Sequence, residues 1–431
     1  MSSLRTTLGL QPLGFRRKNL AADAKAAVVL GVESVPDGLA SGILAGVNPV
    51  AGLYAYMYGA VAGAFFTGTT FMAIQGTGAM AIIVADADIS AADDPTRSLV
   101  TLSVLAGVVM LAAGYLKLGS ALRFVPNSLM AGFISAVGIN IVLGQLGDFT
   151  GYDADGSNRI TRAIDTILHP GRLDLWTLVV GVATIALILW LRRTRLGAMG
   201  LVVAIVAGSS LAAVIRAFDR DIELVGNVAE VPNSLPTPSL PLFSEIPELI
   251  VPAISLALVG LIQGAGVSSA FANPDGTKGD PSQDFVAQGA GNVVAGLFKG
   301  MPVGGSMSAT SLITSAGAKS RMALIFTGVM MAIVILLFAG VVEYVAMPTL
   351  AGLLIVVGLE TVKPAELIGV WNVGVVQATV MGVTFILTLL IPLQYAVLVG
   401  VGIAMILFIV RQSNQLETRR IVINDDGVLE E

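Results

Sequence analysis

Residues 300–321 read GMPVGGSMSATSLITSAGAKSR, a polar, glycine-rich stretch between two apolar runs. Pro302 and the two glycines after Val303 disfavour an unbroken helix at its start, whereas residues 306–315 hold no helix breaker and predict a short helix. A half-length helix that begins inside a membrane leaves its first backbone N–H groups unpaired. Because such a helix start attracts negative charge, this stretch predicts an anion site.

The composition places the chain among polytopic membrane proteins. Of its 431 residues 55% are hydrophobic and 12% are charged, and the mean hydropathy is +0.85. A soluble domain usually carries about twice that charged fraction. The absence of cysteine excludes disulfides, thiol nucleophiles and cysteine-ligated metals. We expect no metal site, no cofactor and no binding of nucleic acid, and we interpret the single histidine, His169, as a solvated loop residue.

The hydropathy pattern predicts about fourteen segments that cross or enter the bilayer. They lie near residues 22–45, 50–67, 72–86, 98–116, 124–147, 174–191, 198–217, 248–269, 284–299, 304–316, 322–345, 348–360, 371–391 and 393–411. Several are too short for a simple crossing, so they must be broken helices or be sheltered by their neighbours.

The positions of basic residues predict the orientation, because short cytoplasmic loops are enriched in Lys and Arg. With a cytoplasmic N-terminus, all the basic loop clusters fall on the cytoplasmic side: Arg16, Arg17, Lys18, Lys117, Arg123, Arg192, Arg193, Arg195, Lys319, Arg321 and Arg411. We therefore expect a multi-pass protein of a bacterial inner membrane with both termini in the cytoplasm. The predicted parts are a cytoplasmic N-terminus (1–21), a first repeat (22–217), an extracytoplasmic linker (218–247), a second repeat (248–411) and a cytoplasmic tail (412–431).

Two interrupted segments occupy matching places in the two halves. TGTTFMAIQGTGAMAII (67–83) follows the opening of the first half by about 50 residues, and the stretch at 300–321 follows the opening of the second half by about 55. Seven crossings in each half would invert the second half relative to the first, and paired interrupted segments in inverted halves indicate a transporter binding site. The alternative is that these glycines serve only close helix packing.

Four separated motifs resemble the SulP family of anion transporters. They are VPDGLASGILAGVNPVAGLYAYMYG (35–59), LKLGSALRFVPNSLMAGFISAVGINIVLGQL (116–146), QDFVAQGAGNVVAGLFKGMPVGGSMSATSLITSAGAKSR (283–321) and IPLQYAVLVGVGIAM (391–405). They occur in the family's order and span nearly the whole chain.

This resemblance implies an all-α membrane fold of fourteen segments in a seven-plus-seven inverted repeat. Segments 1–4 and 8–11 would form a core domain, and segments 5–7 and 12–14 a gate domain, with half-helices at segments 3 and 10. It also suggests a homodimer surrounded by membrane lipid. Family members commonly carry a C-terminal STAS domain, which the tail up to Glu431 is too short to hold. Either the protein lacks this domain or the sequence is a piece of a longer one.

The resemblance places the anion between the starts of segments 3 and 10. Two helix starts that meet there would each contribute about half a positive charge, which independently favours an anion. The candidate ligands are Gln75, Gly76, Thr77 and Gly78 at one start, and Gly305, Ser306, Met307, Ser308, Ala309 and Thr310 at the other. For the hydroxyl groups the alternative is a hydrogen bond to a carbonyl within their own helix.

The chain departs from the family pattern at two charged positions. Many members place an arginine where this chain has Ala309, and an acid in segment 8 where it has Gln263, which can hydrogen-bond but cannot titrate. Segment 1 instead holds Glu33 and Asp37 on one helix face. We expect at least one of these acids to face the cavity and to couple transport to protons, although sodium remains a candidate. The alternative is that both acids are hydrated at a mouth of the protein.

These features predict a secondary transporter of sulfate, bicarbonate or dicarboxylates in which the core moves like an elevator against the gate. An anion channel or uncoupled anion exchanger of the same fold is the alternative. Transport of a neutral nucleobase is disfavoured because segment 8 lacks an acid. No phosphate-binding loop and no paired nucleophile and base occur, so we expect no enzymatic activity.

Overall fold

The computed structural model describes residues 10–119, 127–194, 196, 199–413, 421–424 and 427–430. Three sequence predictions therefore lie wholly or partly outside the described residues: the basic residues Arg123 and Arg195, the first nine residues of the N-terminus, and most of the tail.

The first half of the chain contains seven principal helices, labelled here by predicted segment. They are α1 (Leu20–Leu44), α2 (Pro49–Phe66), α3 (Gly78–Asp86), α4 (Pro95–Tyr115), α5 (Asn127–Gly144), α6 (Leu175–Arg192) and α7 (Met199–Arg216). Strand β1 (Ala73–Gln75) precedes α3. Short helical pieces lie at Arg17–Asn19, Ile89–Ala91, Leu146–Thr150, Arg159–Leu168 and Pro170–Arg172.

The second half repeats this order. Its principal helices are α8 (Ile246–Ala270), α9 (Pro281–Leu297), α10 (Met307–Ser315), α11 (Met322–Glu343), α12 (Met347–Thr361), α13 (Val375–Leu390) and α14 (Leu393–Ser413), and strand β2 (Gly304–Ser306) precedes α10. Short helical pieces lie at Val225–Val228, Phe243–Glu245 and Pro364–Val373. Beyond α14, β3 (Ile421–Asn424) pairs antiparallel with β4 (Gly427–Glu430).

Among the described residues, eight helices are long and apolar enough to cross a membrane, and α13 and α14 add shorter apolar stretches. The two helices that follow β1 and β2 are different, since each has only nine residues. At 1.5 Å per residue a nine-residue helix is about 14 Å long, roughly half of the hydrocarbon thickness. Segments 3 and 10 are thus half-helices, as the sequence predicts.

Several helices begin with the same local signal, an Asn or Asp followed by proline. Asn48, Asp94 and Asp280 each accept a hydrogen bond from a backbone N–H two or three residues later, and the proline after each occupies the first helical position. Proline fits this position because its missing N–H would have no helical partner. These caps fix where α2, α4 and α9 begin.

The helices pack into two groups. α4 packs most extensively against α9, α1 packs against α2, and both α1 and α2 pack against α11, which defines the core domain. α5 packs against α12 and α13, and α6 packs against α7 and α12, which defines the gate domain. Close approach needs glycine: a side chain at Gly52 in α2 would overlap the carbonyl oxygen of Gly38 in α1. We call the end of the bundle where α1 ends and α2 begins the distal end.

Candidate functional site

A two-stranded antiparallel sheet joins the two interrupted segments at the centre of the core domain. Ala73 lies opposite Ser306, and Gln75 lies opposite Gly304. Paired strands are about 4.8 Å apart, so backbones separated by more than 200 residues in sequence come into direct contact. The sheet holds the starts of the two half-helices α3 and α10 close together on the same support.

Each half-helix start carries a hydroxyl cap. The Thr77 Oγ1 accepts a hydrogen bond from the Met80 N–H at 3.4 Å, and the Ser306 Oγ accepts one from the Ala309 N–H at 3.3 Å. Helix geometry gives the N–H groups of the first residues no acceptor inside the helix. Each start therefore presents N–H groups and a partial positive charge to a ligand.

The hydroxyl groups of the predicted ligands differ in how their protons are used. The Thr77 hydroxyl donates to Gln263 Oε1 at 3.0 Å, and the Thr310 hydroxyl donates to the Ser306 carbonyl at 2.6 Å. The Thr310 oxygen also accepts the Ala73 N–H, which braces β1 against α10. Ser306 Oγ and Ser308 Oγ lie 3.2 Å apart, so one of their two protons remains free to reach an anion.

Access to the two starts is unequal. Met307 is 45% exposed and Ser308 is also exposed, whereas Ala309 and Thr310 are buried. At the other start Gly76 is buried, and Thr77 and Gly78 are half-buried. The α10 start is thus the more open of the two in this conformation.

Gln75 points away from the half-helix starts toward α1. It is 1% exposed, and its Nε2 donates to Ser34 Oγ at 2.7 Å. Its Oε1 has no hydrogen-bond partner. A buried acceptor without a partner is unfavourable and indicates a place where a donor or a cation would be stabilised.

Asp37 connects to the α3 start through a tyrosine that the sequence analysis did not select. The Tyr56 hydroxyl lies 2.6 Å from Asp37 Oδ2, 2.9 Å from the Gly76 carbonyl oxygen and 3.1 Å from Ser41 Oγ. A phenol has one proton, so it cannot donate to the carboxylate and to the carbonyl together. The protonation state of Asp37 therefore decides which of the two oxygens receives it.

Glu33 lies one helical turn before Asp37 in α1. Its Oε2 is buried and has no hydrogen-bond partner. A buried carboxylate oxygen without a donor is unfavourable, because it has lost its contact with water and gained no hydrogen bond in exchange. Glu33 and Asp37 are both half-buried, and their role in coupling stays a prediction.

Two amides of α9 that the sequence analysis did not select, Gln288 and Asn292, also belong to the site. Asn292 exchanges two hydrogen bonds with the Val303 backbone, and Gln288 Oε1 accepts the Gly305 N–H at 3.1 Å. The sequence signal that could have identified Gln288 and Asn292 is their spacing of four residues on an apolar helix, directly before the interrupted stretch.

The described residues contain no group of three or more His, Asp or Glu side chains arranged to hold a metal ion.

Comparisons with known proteins agree with this architecture. Residues 20–384 match the profile of the Sulfate permease family. The probable sulfate transporter MT1781 of Mycobacterium tuberculosis is 28% identical over 326 residues, which cover 74% of this chain and 58% of that protein. The chain thus spans less than two thirds of the length of that relative. Their names describe transporters and not enzymes, in agreement with the expectation from the sequence.

Two solved structures have the same fold. The overall structure of SLC26A9 has a TM-score of 0.86 at 19% identity, over 100% of this chain and 72% of that one. The transmembrane domain of a cyanobacterium bicarbonate transporter, BicA, has a TM-score of 0.75 at 23% identity, over 91% of this chain and 98% of that one. The predicted fold, a multi-pass membrane protein with inverted halves, core and gate domains and two half-helices, is confirmed.

Proposed function

The chain belongs to the Sulfate permease family, and on that premise we propose that it is a secondary transporter of small anions. The observation that carries the proposal is the β1–β2 pairing, which brings two half-helix starts together inside the membrane domain. Two partial positive charges and several unpaired N–H groups favour a negatively charged solute over a neutral one.

The substrate class follows from the size and chemistry of this site. The residues around the two starts are mostly Gly, Ala, Ser and Thr, which leave room for a compact anion and supply N–H and O–H donors. Sulfate, bicarbonate and small dicarboxylates fit this description, and relatives are named as sulfate and bicarbonate transporters. Ala309 adds no fixed charge, so the helix starts and the hydroxyls hold the anion.

The proposed mechanism moves the core domain against the gate domain. The gate closes over the α3 start at Ile141, whose side chain a Cβ on Gly78 would overlap. Because both half-helices lie in the core and are tied by the sheet, a rigid movement of the core would carry the whole site. This proposal also includes three expectations: the domain boundaries predicted from the sequence, a distal end that faces the outside, and a homodimer in lipid.

The proposed coupling ion is a proton, taken up by Asp37 with Glu33 as a second acceptor. When Asp37 is ionised, it holds the Tyr56 proton; when Asp37 is protonated, the Tyr56 hydroxyl is free to donate to the Gly76 carbonyl. The Gly76 carbonyl lies two residues before α3. A hydrogen bond from Tyr56 to its oxygen reduces the negative charge that this oxygen presents to a nearby anion. Protonation would thus favour the anion at the same helix start.

Counterflow into proteoliposomes tests this function. The purified chain is reconstituted with labelled sulfate, bicarbonate and a dicarboxylate, with and without imposed proton and sodium gradients. Saturable uptake that is accelerated by the matching unlabelled anion inside and driven by an inward proton gradient supports the proposal. Uptake of no anion in the panel would refute it, and a sodium requirement would refute the proton coupling.

An anion channel or uncoupled exchanger of the same fold is the second candidate. Electrical recording separates a channel from coupled transport, because a channel passes far more ions per second and shows no acceleration by anion on the opposite side. An uncoupled exchanger does show that acceleration, but an imposed proton gradient does not drive its uptake.

A further inference from the structure

The backbone that leads into α10 is held by α9 as well as by β1. Asn292 is fully buried, and its Oδ1 accepts the Val303 N–H at 2.9 Å while its Nδ2 donates to the Val303 carbonyl at 2.6 Å. One amide side chain thus pairs with both polar groups of a single residue, as a neighbouring strand would.

Gln288 makes one hydrogen bond of the same kind two residues further on, inside β2. It is 1% exposed, and its Oε1 accepts the Gly305 N–H at 3.1 Å. In an extended strand the N–H groups of residues i and i+2 point to the same edge. Val303 and Gly305 therefore both face α9, where residues four apart lie on one helix face.

The space for this arrangement is made by a glycine in α8. A Cβ at Gly264 would overlap the Gln288 amide nitrogen, and a Cβ at Gly305 would contact Gly264. Asn292 Nδ2 also donates to the Gln288 carbonyl, and Gln288 Nε2 lies 3.4 Å from the Asp284 carbonyl. Both amides are thus oriented by their own helix as well as by the strand.

We propose that Gln288 and Asn292 are positioning residues which act as a third strand for β2 and set the direction in which α10 presents its first N–H groups. The inference rests on the proposed function, since those N–H groups matter only if an anion binds them. β2 has three residues and pairs on one edge with an equally short β1, and isolated two-stranded sheets are marginal. The two α9 amides supply hydrogen bonds along the edge of this segment that does not pair with β1.

The α9 amides also explain how an extended backbone persists inside a membrane domain. Each buried N–H without an acceptor destabilises the fold, and the destabilisation is larger where no water can reach it. Pro302 before the strand prevents a helix that would satisfy these groups internally. Side-chain amides are suited to this task because each offers a donor and an acceptor without a charge.

The test uses Asn292→Leu and Gln288→Met, which keep approximate volume and remove the amide contacts. The matched control is Asn140→Leu in α5, a 3% exposed amide whose Nδ2 donates to the Thr388 carbonyl at 2.8 Å within the gate domain. Two quantities are measured on the reconstituted full chain: amide hydrogen exchange at Val303 and Gly305, and the concentration of sulfate, bicarbonate or dicarboxylate that gives half-maximal uptake.

In both variants we expect faster exchange at the amide that lost its acceptor, and an apparent anion affinity about tenfold weaker with a smaller change in maximal rate. Asn140→Leu should lower thermal stability by about as much as the two test variants do. It should change neither the amide exchange at Val303 and Gly305 nor the anion concentration that gives half-maximal uptake. Unchanged exchange at Val303 and Gly305, or an equal loss of affinity in Asn140→Leu, would overturn the proposal.

Two readouts keep the outcomes distinguishable. If Asn292→Leu does not fold, Gln288→Met removes a single acceptor and gives the same two measurements. If the wild type transports no anion in the panel, the proposed function fails, whereas the exchange measurement still decides whether the amides hold the strand.

Discussion

Tyr56 is the residue through which an acid in α1 can affect the start of α3. Its single proton lies within hydrogen-bond distance of both Asp37 and the Gly76 carbonyl oxygen. Where no side chain supplies a fixed positive charge, the helix starts provide most of the electrostatic attraction for an anion. A change in one hydrogen bond at a helix start then alters a large fraction of that attraction. Substitution of this phenol can therefore separate proton coupling from anion binding.

The first prediction concerns that phenol. Tyr56→Phe removes the hydroxyl group that joins Asp37 to Gly76, so we expect anion uptake to persist while its stimulation by an inward proton gradient falls at least fivefold. Asp37→Asn should abolish the same stimulation, because an amide cannot take up the proton. Tyr58→Phe is the control, since Tyr58 only stacks against Phe298 in the described structure. Full proton stimulation in Tyr56→Phe would contradict the relay.

The second prediction concerns Glu33, whose Oε2 has no partner. Glu33→Gln removes the ionisable group from a position where one carboxyl oxygen is buried without a donor, so the variant should be as stable as wild type or more stable. If Glu33 also carries a coupling proton, the pH dependence of uptake will be weaker in this variant. Unfolding curves and uptake between pH 5 and pH 8 measure both quantities, and a large loss of stability would show that Glu33 is charged and paired.

At the scale of elements, the contact between α1 and α2 depends on glycine. Gly52→Ala would force a Cβ into the Gly38 carbonyl, a backbone atom that cannot rotate away. We expect a loss of several kcal/mol in stability, since overpacking between helices typically costs about 1–3 kcal/mol when the neighbours can move. Gly382→Ala in α13 is the matched control, because a Cβ there meets no atom within 4 Å. Thermal unfolding in detergent that does not separate the two variants would contradict this packing.

The short helix Leu146–Thr150 after α5 carries a carboxyl group with an altered pKa. Burial, with a contribution from Glu223, raises the pKa of Asp148 to about 6. The folded protein then binds this proton more tightly than the unfolded chain does, so ionisation destabilises the fold increasingly between about pH 4 and about pH 6. Asp148→Asn should raise stability on the order of 3 kcal/mol at pH 7. The gain should vanish at pH 4; a gain of equal size at both pH values would exclude this cause.

Much of the element order follows from the sequence because the half-helices are marked locally. Pro302 and the glycines before Ser306 end one conformation, and the uninterrupted apolar residues after them begin another. The pairing of β1 with β2 could not be predicted in the same way. Three-residue strands carry no alternating pattern, and their register is set by contacts with residues more than 200 positions away.

The same distinction between local signals and long-range contacts applies to the site residues. The helix starts at Thr77 and Ser306 follow from local capping signals, and the structure brings them together. The hydrogen bonds of Tyr56 and Asn292 do not follow, because an intramembrane hydroxyl or amide can turn to any neighbour. Which neighbour it meets is a property of the packed core and not of its own helix.

At the scale of the whole molecule, the core and the gate are joined at the distal end. Asp86, the last residue of α3, lies in the core; its Oδ1 is 2.7 Å from Arg159 Nη1, and its Oδ2 accepts the Leu393 N–H at 2.6 Å. Leu393 is the first residue of α14, which belongs to the gate in the proposed division into domains, so the carboxylate also occupies a favourable place at a helix start. A core that moves against the gate must break both contacts.

The last prediction is that Asp86→Asn shifts the population toward a conformation in which the distal end is open. Val50 is 2% exposed and lines a distal cavity of about 800 Å³, and the chain has no cysteine of its own. In a Val50→Cys background, labelling by a membrane-impermeant maleimide should accelerate about fivefold when Asp86→Asn removes the ion pair. Asp88→Asn is the control, since Asp88 makes no ion pair among the described residues. An equal acceleration by both substitutions would mean that local charge, and not the junction between core and gate, controls access, whereas acceleration by Asp86→Asn alone would identify this carboxylate as the contact that holds the distal end closed.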